Sequence, residues 1–351
     1  MRRGPGGSRR TRSRALGALY GLAIGDALGM PTESRSRPDI VARYGGLLNG
    51  FEPGPPDQPL APGLPAGSVT DDTEQAVVLA RLVVDGRGEI DEGELATRLL
   101  AWEASMRTRG SIGLLGPSTK KALNEILTGA GIDDAGRSGT TNGAAMRITP
   151  VGVATPPHDL VLLVDRVVAA SRVTHNTGIA LAGATAVAAA VSAGIEGATV
   201  PEAVRFAAGA AAAAAQRGHW AAGADVASRI TWAAGLVAGL GQGQAMDAVY
   251  RLVGTSLATQ ESVPAAFAVA MVSPQDPWLA CRIAASLGGD SDTIAAITGA
   301  ICGACRGVGA FPPSARSTVA RVNDLKLEGL AAGLLAVRAG AAPRAGGDAA
   351  G

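Results

Sequence analysis

The 351-residue chain is poor in aromatic rings, sulfur and net charge. It has four Phe, four Trp and three Tyr, and none of these falls between Trp102 and Phe206. Aromatic burial is therefore not its main source of packing energy. Three Cys over this length exclude a disulfide framework and point to a reducing, cytoplasmic compartment. Cys302 and Cys305 form a C-x-x-C, but no second pair completes a zinc site and both read as core residues. A net charge of +1 leaves no basic footprint for nucleic acid. The uncharged run 178–195 approaches the length of a membrane span, yet Ala, Gly, Ser and Thr dominate it, and a buried helix is predicted. Arg2, Arg3, Arg9, Arg10, Arg12 and Arg14 precede the apolar stretch 15–25 in the manner of a signal peptide. Asp26 interrupts that stretch, and residues 1–14 read instead as a disordered basic tail.

What the chain does contain is small side chains, with 49 Gly and 47% hydrophobic residues against 17% charged. Such a chain can bury a large core, and small residues let helix axes approach closely. Apolar residues recur at helical spacing over 76–84, 95–106, 120–127, 160–170, 179–193, 201–215 and 294–304. Pro201, Pro264 and Pro277 sit where a first helical turn would begin. No segment sustains the two-residue alternation of a strand. The expectation is an all-α single domain over residues 15–338, followed by a disordered Ala/Gly-rich tail at 339–351. Residues 51–67, rich in Pro and Gly, are the longest loop candidate, and loops of that length in compact domains are often functional.

Two acidic clusters carry the chemistry. Thr70-Asp71-Asp72-Thr73 precedes one helical run, and Gly288-Gly289-Asp290-Ser291-Asp292-Thr293 precedes another. Each is explicable as an N-terminal cap, since Asp, Ser and Thr accept from free backbone N–H groups and complement the helix dipole. A cap needs one acid, however, and each cluster offers two carboxylates with adjacent hydroxyls at a helix end. Hard oxygen donors of this kind suit Mg²⁺ or Mn²⁺, whereas Zn²⁺ prefers the His and thiolate ligands missing here. If the fold joins the two ends, four carboxylates repel unless cations neutralise them, and a two-metal site is the economical arrangement.

These clusters, with Gly21-Leu-Ala-Ile-Gly-Asp26-Ala-Leu-Gly-Met-Pro-Thr-Glu33, Asn142-Gly143-Ala-Ala-Met-Arg147 and Thr174-His175-Asn176-Thr177, resemble the ADP-ribosylglycohydrolase family. The matching motifs run in order over about residues 15–335. That family includes the dinitrogen reductase-activating glycohydrolases and the ADP-ribosyl-acceptor hydrolases. The resemblance implies an all-α fold with a central cleft and a binuclear centre of two Mg²⁺ or Mn²⁺ ions. It places Thr70, Asp71, Asp72, Asp290, Asp292 and Thr293 on the metals, Glu33 near them where it can ligate or gate access, Asn142, Gly143 and Arg147 in the substrate-binding loop, and His175 in the wall of the substrate pocket. On the implied mechanism Glu33 or Asp71 manages the proton. Asp26 matches an aspartate whose role is open between structure and catalysis. The implied reaction is hydrolysis of the glycosidic bond of an ADP-ribosyl group on a protein or a small molecule, with neither nucleic acid nor membrane as partner.

From the residues alone, the supporting positions have plainer explanations. His175 with Thr174 and Asn176 can cap the next helix, Asn142-Gly143 is a common turn dipeptide, and Arg147 is an ordinary solvated charge. Glu261-Ser262-Val263-Pro264 reads as a capped helix start. One departure bears on substrate. Family members that cleave ADP-ribose commonly stack adenine between aromatic side chains near the Asn-Gly loop, where this chain has none. Trp102, Trp220, Trp232, Tyr44 or Phe51 would have to supply a ring through the fold, and Arg107 and Arg109 could serve a diphosphate. The alternatives are a ribosidase of the same fold acting on a nucleoside-like N- or O-riboside, and a non-catalytic ligand-binding member.

Overall fold

The computed structural model describes residues 5–108 and 115–341, and among these every extended regular element is helical. Helix α1 (Pro5–Gly29) leads through a 3₁₀ turn, Met30–Thr32, to α2 (Arg37–Tyr44). After the long loop come α3 (Asp71–Asp85), α4 (Glu92–Thr108), α5 (Pro117–Leu127) and the single turn α6 (Ile132–Ala135). The middle of the chain forms α7 (Gly143–Arg147), α8 (Thr149–Ala154), α9 (Leu160–Ser171), α10 (Gly178–Glu196), α11 (Val200–Ala214), α12 (Val226–Leu236) and α13 (Gln242–Ala248). Helices α14 (Thr259–Val272), α15 (Pro277–Ala285), α16 (Ser291–Arg306), α17 (Pro313–Val322) and α18 (Leu327–Ala341) follow.

The core forms around α10. Its side chains from Ile179 to Ile195 are buried, and α7, α8, α9, α11, α14 and α16 pack about it. By length and composition it could cross a membrane, but its apolar stretch is wholly covered by protein, as a core helix must be. Cys281, Cys302 and Cys305 are free and buried in the same core, as residues of their size and polarity should be.

The most extensive helix pair is α1 against α16. Gly17, Gly21, Gly25 and Gly29 recur every fourth residue along α1 and meet Gly303, Gly299, Ala295 and Asp292 of α16. A β-carbon added to Gly21 would fall on the carbonyl of Gly299, and one added to Gly299 would fall on the carbonyl of Gly21. Main chain therefore touches main chain, and dispersion between backbones replaces interlocking side chains. The antiparallel pairing also sets the C-terminal end of α1 beside the N-terminal end of α16, which joins Asp26 and Glu33 to the second acidic cluster.

Three details depart from the sequence expectation. Helix α1 begins at Pro5, and residues 5–14 of the expected tail are helical. A helix already packed from Ala15 onward extends at little cost through Arg9, Arg10, Arg12 and Arg14, a residue type that favours helix and can keep its charge in water. Pro264 lies inside α14, beyond its first turn. Its missing N–H frees the carbonyl of Gln260, which accepts from Arg229 Nε at 2.8 Å instead. Helix α18 continues to Ala341, and the rest of the expected C-terminal tail, 342–351, lies outside the described residues.

Neither backbone of the α1–α16 pair can retreat, and Gly21→Ala should cost at least about 2 kcal/mol. Gly209→Ala in α11, where the added methyl meets open space, should gain up to about 1 kcal/mol. Urea unfolding measures both, and equal midpoints for the two variants would refute the backbone contact.

Candidate functional site

Helix α3 starts without a cap of its own, for the Thr70 side chain makes no bond to the helix it precedes. The cap comes from α1. Buried Asp26 accepts from Thr70 N at 2.9 Å, Thr70 Oγ1 at 2.8 Å, Thr73 N at 3.1 Å and Thr73 Oγ1 at 2.5 Å. One carboxylate thus satisfies two free N–H groups and two hydroxyls of a neighbouring helix. Burial outweighs these bonds electrostatically and raises the Asp26 pKa to about 6. With the capping done from outside, Asp71 and Asp72 face the cleft.

The second cluster depends on a tight backbone passage. Gly288 and Gly289 have φ of 91° and 70°, and a β-carbon on either would run into the main chain of Arg35 or Thr255. Ser34 N donates to Gly289 O at 2.7 Å, Gly289 N to Arg35 O at 2.8 Å, and Asp290 N to Thr255 O at 2.7 Å. Asp290 then occupies the N-cap of α16 without a side-chain bond to the free backbone N–H groups of that helix. Its carboxylate accepts from Asn142 Nδ2, which also donates to Ser262 Oγ at 2.8 Å. Thr293 Oγ1 reaches across to Asp72 Oδ2 at 3.3 Å and links the two clusters.

Glu33 enters from the turn after α1. Ser34 has φ of 60°, uncommon for a residue with a β-carbon, and reverses the chain there. Gln58 of the long loop holds this turn from above, donating to the carbonyls of Met30 at 3.1 Å and Glu33 at 3.4 Å.

These segments enclose a cleft of about 570 Å³. Glu33, Asp71, Asp72, Asp290, Asp292 and Thr293 form its acidic wall, Thr141, Asn142 and Gly143 a neutral polar one, and Leu60, Leu115, Met146 and Leu257 its apolar rim. One oxygen from each of Glu33, Asp290 and Asp292 lies within 4.8 Å of the others. Glu33 Oε2, Asp72 Oδ1 and Asp292 Oδ1 are buried without a hydrogen-bond partner. Burial, followed by repulsion from Asp292 and its neighbours, pushes Glu33, Asp71 and Asp72 well above the usual carboxylate range. Burial and then Asp290 raise Asp292 to about 8, while burial holds Asp290 at about 6 against bonds from Asn142 and Thr293. Orphaned, buried, like-charged oxygens are the donor set that a hard divalent cation satisfies and neutralises.

The sequence-predicted residues divide by depth. Asp71, Asp72, Asp290, Asp292, Thr293, Glu33, Asn142 and Gly143 line the cleft. Thr70 stands just behind it, donating to Asp26 and lying 3.4 Å from Asp292 Oδ2. Arg147 and His175 are fully buried behind the wall and do not line the cleft, where the resemblance implies a place along the substrate for Arg147 and in the pocket wall for His175. The short helix α7 packs on α10 and α3, which turns Arg147 inward, and the His175 imidazole lies directly beneath Gly143. Arg109 and the side chain of Arg107 lie outside what is described. None of Trp102, Trp220, Trp232, Tyr44 and Phe51 lines the cleft: Trp102 donates to Glu74 at 2.5 Å, Phe51 packs on Trp278 and Trp220 is 88% exposed.

Fold and site together define a class, a helical protein with a hard-oxygen cluster at the floor of a cleft sized for a small molecule. The chain belongs to the ADP-ribosylglycohydrolase family, whose profile matches residues 7–344. It is 36% identical over 326 residues to YegU of Escherichia coli (strain K12), spanning 93% of this chain and 97% of that protein. It is 34% identical over 163 residues to the ADP-ribosyl-[dinitrogen reductase] glycohydrolase of Rhodospirillum rubrum, 46% of this chain and 51% of that one. A solved structure described as an ADP-ribosylglycohydrolase-related protein complex matches with a TM-score of 0.65 and 26% identity, covering 94% of this chain and 99% of that chain. The family supports hydrolysis of the ADP-ribosyl glycohydrolase type.

The raised carboxylates fix the sign of a pH effect. Without metal, the native state keeps protons that the unfolded chain releases above about pH 4. Stability then falls as pH rises from there toward the Asp292 value of about 8. Melting in EDTA should come several degrees lower at pH 8 than at pH 5, and Mg²⁺ or Mn²⁺ should restore most of the loss. A flat EDTA profile would show that the cluster carries no such strain.

Proposed function

We propose that this chain hydrolyses the glycosidic bond of an ADP-ribosyl group, on a protein or a small molecule. Thr70, Asp71, Asp72, Asp290, Asp292 and Thr293 would hold two Mg²⁺ or Mn²⁺ ions. The orphaned carboxylate oxygens at the cleft floor carry this reading. Family membership supplies the reaction type, and the Rhodospirillum rubrum relative, which by its name acts on ADP-ribosylated dinitrogen reductase, supports a protein as one acceptor. When bound, the cations supply Lewis acidity toward ribose hydroxyls and water.

The chain's own residues do the rest. Asn142 and Ser262 aim Asp290, and Gln75, donating to Asp71 Oδ2 at 3.1 Å, aims Asp71. Glu33, free at Oε2 on the cleft wall, takes or gives the proton as the glycosidic bond breaks, with Asp71 placed to share that role. The acidic wall favours the positive charge that develops on the ribose ring. The apolar rim limits access of bulk water. A reducing, cytoplasmic setting agrees with three free cysteines.

One observation favours a second reading. No Phe, Tyr or Trp is among the residues that line the cleft, which suits a smaller N- or O-riboside that needs no stacking platform. A non-catalytic, ligand-binding role would leave the intact carboxylate set without a use.

Release of ADP-ribose from an ADP-ribosylated protein and hydrolysis of nucleosides, each assayed with Mg²⁺, Mn²⁺ or EDTA, separate these readings. Asp71→Ala and Asp292→Ala should each lower kcat by about 100-fold or more with unchanged circular dichroism. Turnover by these variants in EDTA would end the metal-dependent proposal.

A further inference from the structure

A buried chain of hydrogen bonds joins the acidic wall of the cleft to its neutral polar wall. Asp71 Oδ2 accepts from Gln75 Nε2 at 3.1 Å, and Gln75 Oε1 accepts from Arg147 Nη1 at 3.1 Å. Arg147 Nη2 lies 2.6 Å from Thr174 Oγ1, which lies 2.8 Å from His175 Nδ1. His175 Nε2 in turn lies 3.0 Å from Thr141 Oγ1. Asp71 and Thr141, the two ends, both line the cleft.

The direction of each bond follows from which groups can only donate. Arginine has no acceptor, so Thr174 Oγ1 accepts from it. The Thr174 hydrogen then has two places to go, His175 Nδ1 at 2.8 Å or the carbonyl of Ser171 at 3.5 Å. The second contact is at the limit of a hydrogen bond, and Nδ1 accepts. His175 is fully buried beside the Arg147 cation, and both effects hold it neutral, its pKa well below the usual histidine value. A neutral ring that accepts at Nδ1 carries its proton on Nε2. Nε2–H therefore donates to Thr141 Oγ1. A hydroxyl that accepts from the protein still has its own hydrogen, and among the described residues the Thr141 hydrogen has no other acceptor.

We propose that Thr141 is a specificity-determining donor, its hydrogen directed into the cleft by Arg147, Thr174 and His175 for a phosphate oxygen of the substrate. A phosphate oxygen pairs only with a donor, so a hydroxyl held as donor always suits it, whereas a substrate hydroxyl pairs there only by accepting. Arg147 and His175 are positioning residues that act through Thr141 and, by way of Gln75, through Asp71. The inference rests on the cleft being the substrate site and favours a phosphate-bearing riboside over a bare nucleoside.

The tautomer is testable without any activity. The protein has three histidines; His158 and His219 are exposed and His175 alone is fully buried, which distinguishes its ring from the other two. Nitrogen-15 NMR of histidine-labelled protein should show that ring protonated at Nε2 alone, and a proton on Nδ1 would overturn the proposal. Thr141→Val should weaken calorimetric binding of ADP-ribose, and raise KM for an ADP-ribosylated substrate, by about 10- to 100-fold. The same variant should change kcat by less than about 3-fold and leave nucleoside affinity unchanged, and Thr141→Ser should restore the loss. Equal effects on phosphate-bearing and phosphate-free ligands, or none on either, would refute it. If the wild type binds ADP-ribose but turns over nothing, the hydrolase reading fails while the tautomer and the valine variant still decide this one.

Discussion

The Asp26 carboxylate, which caps a helix that is not its own, is the interaction on which the site depends. An ordinary N-cap would use Asp71, Asp72 or the Thr70 hydroxyl to satisfy the first turn of α3. Here all of that is done from α1, by one buried group with four donors around it. The arrangement works only if α1 is held at a fixed height, and the glycine contact with α16 does this. A side chain in that interface would move Asp26 off the end of α3 and Gly29 off Asp292 together. Close backbone packing and a free acidic cluster are consequently one design.

Several strained features meet at the same place, while Arg87 and Asp324, with φ of 52° and 48°, lie elsewhere. Ser34 is in the left-handed region, two glycines pass through space no β-carbon could enter, and three carboxylate oxygens lack partners. The core around it is built chiefly of Ala, Val, Leu and Ile. A large apolar core can offset a few kcal/mol of like-charge repulsion, and a cation binding only the native state returns that energy as stability. The cluster is thus costly without a counter-charge, and a bound cation would couple its affinity to folding.

Much of this was legible in the sequence. The helical periods, the buried character of α10 and the pairing of the two acidic clusters follow from local pattern and from the need of four carboxylates for a counter-charge. Depth was not legible. Arg147 and His175 are polar residues inside recognisable motifs, and nothing local distinguishes a residue facing the cleft from one a layer behind it. Gln75 carried a usable signal, standing one helical turn after Asp71. Gln58, Thr141 and Ser262 carried none, because their partners lie far away in the chain. The α1 zipper was visible as glycine at every fourth position, but its partner face on α16 becomes meaningful only when the two are set side by side. Pro264 shows the reverse error, a correct local preference overridden because Arg229 supplies the donor that satisfies Gln260.

The scarcity of aromatic residues takes on a different weight once the cleft is known. A ring stacked on a base gives affinity with little direction, since every base has two faces. This cleft has no ring to offer, and its recognition must come from groups that donate or accept along fixed lines. Those lines are set from behind: Asn142 and Ser262 orient Asp290, Gln75 and Arg147 orient Asp71, and His175 orients Thr141. Arg147 takes part in two of the three, and it does so without facing a carboxylate directly, which leaves its charge acting at a distance on both His175 and Asp71. Burial and the Arg147 cation together keep the imidazole neutral, the protonation state that a directed donor at Thr141 requires.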